Sequence, residues 1–367
     1  MGKKLLFAAI LCASLLSLIL ALRGGTTVGT FEIDGATASV VWRVRPKHSW
    51  DVFSHSVFRD GLFRLEVRGK FYFIDKDGNM AIEPEHDEHR FGRPFPVMQF
   101  SDGLVAVELN GKFGFIDTQG NVAIPFEYSI ASDFSEGLCF VVKDNKKGFI
   151  DKAGDMVIID SSIKSMHYSL FSLYEIPEFS EGLASIQLEE NDKWCFIDKT
   201  GEIVMSFESN EYDYVGNFSE GLANVYKTGI GMGYIDKTGE LVIPMEYQTA
   251  HAFSEGLAQV SKSSHPASSY YGFIDKNGEI VIPLIYSRAW PFSGGLAYVK
   301  GGGNPPLSSD DGFIDKTGKI IIPLDSYGRY SFSGRLAFGS TTFSEGLALM
   351  SKRTIFGYRY GILEIVQ

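Results

Sequence analysis

The tripeptide Phe/Tyr-Ile-Asp occurs seven times in this chain, ending at Asp75, Asp117, Asp151, Asp198, Asp236, Asp275 and Asp315, with successive gaps of 42, 34, 47, 38, 39 and 40 residues. A period near 40 is the mark of a repeat architecture, in which one supersecondary unit is copied and stacked. Two further signatures keep step with it. Upstream stand "FRDGL" (58–62), "FSDGL" (100–104), "FSEGL" (134–138, 179–183, 218–222 and 253–257) and "FSGGL" (292–296). Downstream an apolar run closes on proline, as in "NVAIP" (121–125), "ELVIP" (240–244), "EIVIP" (279–283) and "KIIIP" (319–323).

Each unit reads as β-strands. The "GLAxV" and "GFID" segments are short and rich in small, branched and aromatic residues, and "xIVIP" is a third strand stopped by proline. Phe (29), Tyr (17) and Gly (40) are abundant, which suits strands and tight turns, and no segment beyond residue 25 holds a helical period. Asp-x-x-Gly links the second and third strands. The carboxylate accepts backbone N–H groups across such a turn, and the glycine takes a positive φ. The expected pairs are Asp75 with Gly78, Asp117 with Gly120, Asp151 with Gly154, Asp198 with Gly201, Asp236 with Gly239, Asp275 with Gly278, and Asp315 with Gly318.

On "FSEGLA", "GFIDKTG" and "IVIP", residues 58–351 resemble the WG-containing repeat family of bacterial proteins. Family members carry Trp-Gly just before the aromatic of the second strand. Here that pair is Phe113-Gly114, Lys147-Gly148, Trp194-Cys195, Met232-Gly233, Tyr271-Gly272 and Asp311-Gly312, so the tryptophan survives only at Trp194. The resemblance implies an all-β array used for interactions, with no general activity attached.

An all-β array of such units either closes into a propeller-like ring or stacks into an open, curved solenoid. Two features favour a ring of seven to eight units. Leu138, Cys139, Phe140, Val141 and Val142 are consecutive apolar residues, as expected of a strand packed on both faces. The ends also look like two parts of one unit. Residues 26–57 contain "TFEIDGATASVVW" (30–42), a degenerate second and third strand. Residues 343–367 contain "FSEGLALMSK" (343–352) and "GYRYGIL" (357–363). Seven units fill 58–342 between them, with a stray "FSGRLAF" at 332–338 read as part of a long connection.

Residues 1–25 open with Lys3 and Lys4 and continue with an uncharged run from Leu5 to Leu22. That run lies between the lengths of a secretory h-region and a membrane span, so the segment reads as a signal peptide or an uncleaved signal anchor. Either places the repeats outside the cytoplasmic membrane, secreted, periplasmic or anchored. Beyond it only Cys139 and Cys195 remain, on different strands of neighbouring units. A bridge between them is one possibility for an exported chain.

The formal net charge is −11, with no basic stripe, which argues against nucleic acid as a partner. The seven aspartates share one turn context, so they are read as structural and not catalytic. The "DKDGN" stretch (75–79) lacks the Glu that a calcium loop places at its twelfth position. His86, Asp87, Glu88 and His89 lack a third well-spaced metal ligand. No phosphate loop or nucleophile elbow is present. The expectation is a non-catalytic binding or scaffold module without metal or cofactor, taking a protein or a cell-surface glycan. The alternative is an extracytoplasmic propeller hydrolase. Recognition is expected at the connections from "GLAxV" to "GFID", which differ from unit to unit. The longest, "KSSHPASSYY" (262–271) and "KGGGNPPLSSDD" (300–311), supply His265, Tyr270, Tyr271, Asn304, Asp310 and Asp311.

Overall fold

The protein folds as a β-propeller. The computed structural model describes residues 26–33, 36–44, 58–67, 70–76, 79–82, 99–164, 176–265, 268–301, 311–324, 347–354 and 357–366. The segment 1–25, the cluster at 85–89 and the stray copy at 332–338 lie outside these residues. No helix occurs among those described.

The repeats form seven small antiparallel sheets, one per unit, and the blades are numbered here in chain order. Blade 3 is representative, with strands Ile130–Ala131, Cys139–Lys143, Lys146–Ile150 and Met156–Ile159 side by side. Blades 4 to 7 repeat that four-stranded order, while blades 1 and 2 show three strands among the described residues. In blades 2, 5 and 6 the fourth strand runs almost directly into the first strand of the next blade, as Leu241–Tyr247 of blade 5 is followed by Thr249–Ala250 of blade 6.

An eighth sheet joins the two ends of the chain in the order Thr26–Ile33, Ala36–Val44, Gly357–Val366, Leu347–Thr354. Ser39 pairs with Val366 and Val44 with Gly361, so the open solenoid is excluded. The expected roles of the ends need one correction. The N-terminal hairpin supplies the two strands beyond Gly357–Val366, because that strand already occupies the place beside Leu347–Thr354. Residues 30–33 therefore lie on the sheet's edge, and the pairing strand is Ala36–Val44.

The second and third strands are buried on both faces, as their sequence predicts: Cys139, Phe140 and Val141 have no exposed surface. The fourth strand differs. Ile282 is buried, but Ile280 and Val281 are 53% and 43% exposed, because this strand is the rim of its blade. Its proline blunts that edge as a template for further pairing. Apolar clusters run between blades. Phe140 and Phe149 of blade 3 pack in one cluster with Phe179 and Ala184 of blade 4, and Trp194 of blade 4 packs with Val215 and Phe218 of blade 5. Cys139 and Cys195 are both free and buried, in blades 3 and 4, so no bridge joins them.

Candidate functional site: the inner strands and the blade junctions

The turn aspartates are spent on their own turns. Asp236 Oδ1 accepts from Thr238 N (2.8 Å), Thr238 Oγ1 (2.6 Å) and Glu240 N (3.1 Å), while Gly239 sits at φ +86°. Asp117, Asp151, Asp198, Asp275 and Asp315 accept the equivalent amides, and Asp75 accepts from Asn79. Gly120, Gly154, Gly201, Gly278 and Gly318 all have positive φ, and Gly78 lies outside the described residues. Hydrogen bonds from Thr238 hold the Asp236 carboxyl below the usual carboxylate range, as those from Asn121 do for Asp117 and from Thr200 for Asp198. At Asp275 the Glu279 amide has the largest effect in the same direction.

The "FSEG" signature has a second role that the repeat alone does not reveal. Its two central residues form a two-residue hairpin with both φ positive, for example Glu136 at 53° and Gly137 at 85°. Such a turn favours Asn, Asp or Gly at its first position, and glutamate there is strained. The strain is offset across the blade boundary. Glu136 Oε2 accepts Gly182 N of blade 4 (3.0 Å) and pairs with Lys199 Nζ of the same blade (3.0 Å). Burial would raise the Glu136 carboxyl, but Lys199 and Gly182 outweigh it and the pKa is lowered. The arrangement recurs as Glu181 with Gly221 and Lys237, Glu220 with Gly256 and Lys276, and Glu255 with Gly295 and Lys316. The serine adds a bond in the same direction: Ser135 Oγ donates to Phe179 O, Ser219 Oγ to Phe253 O and Ser254 Oγ to Phe292 O. In blades 3 to 7 the Lys that follows the turn Asp thus reaches the corresponding hairpin ("FSDG" in blade 2, "FSEG" beyond it) of the preceding blade, which puts both turn types at one end of the ring.

Because first strands of neighbouring blades bond to one another while fourth strands carry exposed apolar residues, the first strands are the inner edges, around the axis. Those inner strands carry a bulge. In blade 5 Val215 pairs with Val225 and Ser219 with Leu222, four steps against three, so Gly216 and Asn217 face Asn224 together. Blades 3, 6 and 7 show the same count, with Ser132 and Asp133 facing Phe140, His251 and Ala252 facing Gln259, and Trp290 and Pro291 facing Tyr298. A bulge re-aims side chains and recurs beside functional sites. Here it collects the residues that the repeat leaves free to vary. Ser132, Asn224 and Gln259, three of the five buried polar residues among those described, belong to the bulge or to the position opposite it.

Some of these groups bind blade to blade. Asn217 Oδ1 accepts from Ser185 N and Oγ, and Asn224 Nδ2 donates to Ala250 O. Others are charged or aromatic. Asp133 Oδ2 accepts Gln99 N of blade 2 at 3.4 Å, whereas its Oδ1 is buried with no hydrogen-bond partner. Burial pushes the Asp133 carboxyl up to about 7, against the opposing effects of Gln99 N–H, Arg59 and Arg64. Burial also lowers His251 to about 4. Trp290 and Tyr298 stack in a tilted pair with ring centroids 4.7 Å apart. The bulge residues were not singled out from sequence. Their signal is that the two positions before each "FSEG" Phe change chemistry from unit to unit while their neighbours do not.

The opposite end holds the predicted recognition connections. Blades 2 and 3 close theirs with two-residue turns, Asn110-Gly111 and Asp144-Asn145, all at positive φ. In blade 6 the expected loop is largely strand: Ala258–His265 and Ser268–Ile274 continue as one long hairpin, with Ser263 opposite Ser269 and His265 opposite Ser268. Repeated Ser and Tyr residues tolerate pairing there, which length alone did not reveal. Tyr270 and Tyr271 are half-buried on that hairpin. Asp311 begins the strand Asp311–Ile314, while Asn304 and Asp310 lie outside the described residues.

Comparison with known proteins supports the repeat and the fold. A family model described as WG containing repeat matches residues 73–113, 113–146, 194–229, 232–264, 271–304 and 312–334. No curated protein matches the sequence. Among solved structures, one described as the crystal structure of the eukaryotic initiation factor aligns over 92% of this chain and 96% of its own, with a TM-score of 0.51 and 10% identity. The dihydro-heme d1 dehydrogenase NirN aligns over 86% of this chain and 76% of its own (TM-score 0.46, 13% identity). BamB from Moraxella catarrhalis aligns over 92% and 93% (TM-score 0.38, 10% identity). At 10% identity the first of these likenesses is one of fold alone.

Proposed function

The chain belongs to the WG-containing repeat family, and from that premise we propose that it is an exported, non-catalytic binding and scaffold module for a protein or a cell-surface glycan. The observation that carries this reading is how the repeated polar residues are used. The turn Asp, the hairpin Glu, Ser and Gly, and the following Lys are engaged in turn and blade-to-blade contacts. They build a rigid ring and leave recognition to what varies. Variable connections on a rigid scaffold are where binding residues concentrate. The blade 6 hairpin offers Tyr270 and Tyr271 with flanking Ser, a mixture of aromatic anchors and adaptable polar groups. Export rests on the lysine-led apolar segment of residues 1–25, which as an uncleaved anchor would also hold the ring at the membrane through residues 5–22.

One observation favours the hydrolase reading. Asp133 and Glu178 stand at equivalent places in adjacent blades, and both bear electrostatically on Cys139. Glycoside hydrolysis uses two carboxyl groups, one of them raised, and Asp133 is the raised member.

The test of the binding reading is cross-linking on intact cells with the full chain, beside a variant in which residues 263–269 are replaced by a two-residue turn. The trimmed chain is expected to fold with unchanged melting and to capture less partner. Undiminished capture by the trimmed chain would exclude the hairpin as the principal contact.

A further inference from the structure

A sheet edge accepts another strand only where it offers free N–H and C=O groups, and the blades differ in how far they prevent this. The outer strands of blades 2, 5, 6 and 7 carry a proline at one fixed place: Pro125, Pro244, Pro283 and Pro323. Proline brings no N–H there. Blade 3 has Ile159 at that place and blade 4 has Ser206. In blade 4 the outer strand Ile203–Ser206 pairs only with Trp194–Asp198. Phe207 N–H donates inward to Trp194 O. By the alternation of an antiparallel pair, Ser206, opposite Cys195, therefore turns its own N–H and C=O outward. Ser206 is exposed, and Ile203 and Val204 on the same strand are 53% and 52% exposed.

The charge of this edge also departs from the repeat. In blades 2 and 5 the Glu two places after the proline is neutralised by a Lys of the next blade, Glu127 by Lys143 at 2.7 Å and Glu246 by Lys262 at 2.8 Å. Glu208 stands at that place in blade 4. The corresponding Lys227 of blade 5 is instead bound to Asp213 and to Asn210 O. Glu202 and Glu208 thus flank the open edge with no ion pair among the described residues, and no Lys or Arg occurs between Lys199 and Lys227. Blade 3 differs: Ser161 replaces the Glu, and Asp160 is taken up by Ser162. A second copy of this chain on the blade 4 edge would set acid against acid, which is unfavourable across paired strands.

We propose that the outer edge of blade 4 takes an extended segment of a partner protein, in which apolar residues alternate with Lys or Arg, as an added β-strand. Main-chain bonds at Ser206 hold the segment, Ile203 and Val204 meet its apolar side chains, and Glu202 and Glu208 meet its basic ones. This deepens the binding-module reading, on which it rests, by giving that module a peptide to bind.

The experiment is a fluorescence-polarisation titration of the full chain with a labelled peptide of alternating valine and lysine, beside one of alternating valine and glutamate. The basic peptide is expected to bind and the acidic one not. Ser206→Pro installs the residue that blades 2, 5, 6 and 7 already carry, so it should melt as the parent does and weaken binding by roughly tenfold, the scale of a lost edge hydrogen bond. Glu208→Lys reads the same edge from the exposed surface. It should weaken binding at low salt and remove much of its salt dependence. Failure of the basic peptide to bind, equal binding of the acidic one, or binding indifferent to both substitutions overturns the edge site. Self-association of the parent that Ser206→Pro abolishes overturns it in favour of a second copy. In each of these cases, partner capture on cells that persists in Ser206→Pro leaves the binding-module reading standing.

Discussion

The carboxylate of Glu220 receives the backbone N–H of Gly256 through both oxygens, at 3.1 and 2.9 Å, across the boundary between blades 5 and 6. Glu220 itself stands at φ +55°. A locally unfavourable residue is therefore kept because its reach extends to the next blade.

Glu220→Ala is expected to lower stability by about 1 kcal/mol, the net value of one hydrogen bond, read by denaturant unfolding. Glu220→Gly should lose less, since glycine relieves the positive φ, as the natural Gly294 of blade 7 illustrates. A double-mutant cycle with Lys276→Ala should give coupling under about 1 kcal/mol, because the pair is solvent-exposed. Equal losses for the Ala and Gly variants would mean that strain at this position is unimportant.

Asp236→Ala and Asp275→Ala are each expected to lower the melting temperature slightly and by similar amounts. Both turns are exposed and use the same amides. Calorimetry of the two variants beside partner capture checks this. Loss of capture without loss of stability at either position would contradict the structural role.

Asp133 gives the chain a pH-dependent stability. Its folded-state pKa is raised from 3.8 to about 7, so folding favours the protonated form. That contribution is full below pH ~4 and is lost as the pH rises toward 7. Asp213 acts oppositely. Lys227 and Thr228 lower it to about 2, so its contribution is present above pH ~4 and lost as the pH falls toward 2. Melting curves of Asp133→Asn should lose the decline between pH 4 and 7, and those of Asp213→Asn should lose part of the decline below 4. Parallel curves for Asp133→Asn and parent would show that the carboxyl titrates normally.

Deleting residues 26–45 removes the strand that pairs with Gly357–Val366. Hydrogen exchange at 361–366 should then accelerate well beyond exchange in blade 5. Unchanged protection there would mean that the terminal sheet adds nothing to the last strand.

Much of the fold was legible in the sequence. The Asp-x-x-Gly turns, the strand order and the meeting of the two ends follow from turn chemistry and periodicity. The Gly of the Trp-Gly place is also explained in blades 2, 3, 5 and 6, while blade 4 carries Cys195 there. A Cβ on Gly233 would stand 2.4 Å from Ile243 O, so close approach of the fourth strand demands glycine there. The preceding place is more permissive: Met232 and Phe113 fill it as buried residues, as Trp194 does, while Lys147 there reaches Ile163 O. What stayed illegible was relational. Nothing in "FSEG" announces that its Glu and Ser act on the next blade, because the motif is local and the bond is not. Asp133 looked like one more polar residue, since the bulge that turns it inward depends on a register that one strand cannot specify alone.

The terminal sheet also sets an order of events. During vectorial synthesis Ala36–Val44 emerges early, and the strand it pairs with is finished only at Val366. Each blade can form as its own forty residues appear, but the circle stays unsealed until Gly357–Val366 has been made. A ribosome that stalls short of that strand would release a molecule with an open flank. The strand Gly357–Val366 thus acts as a check that the blades made before it are in place.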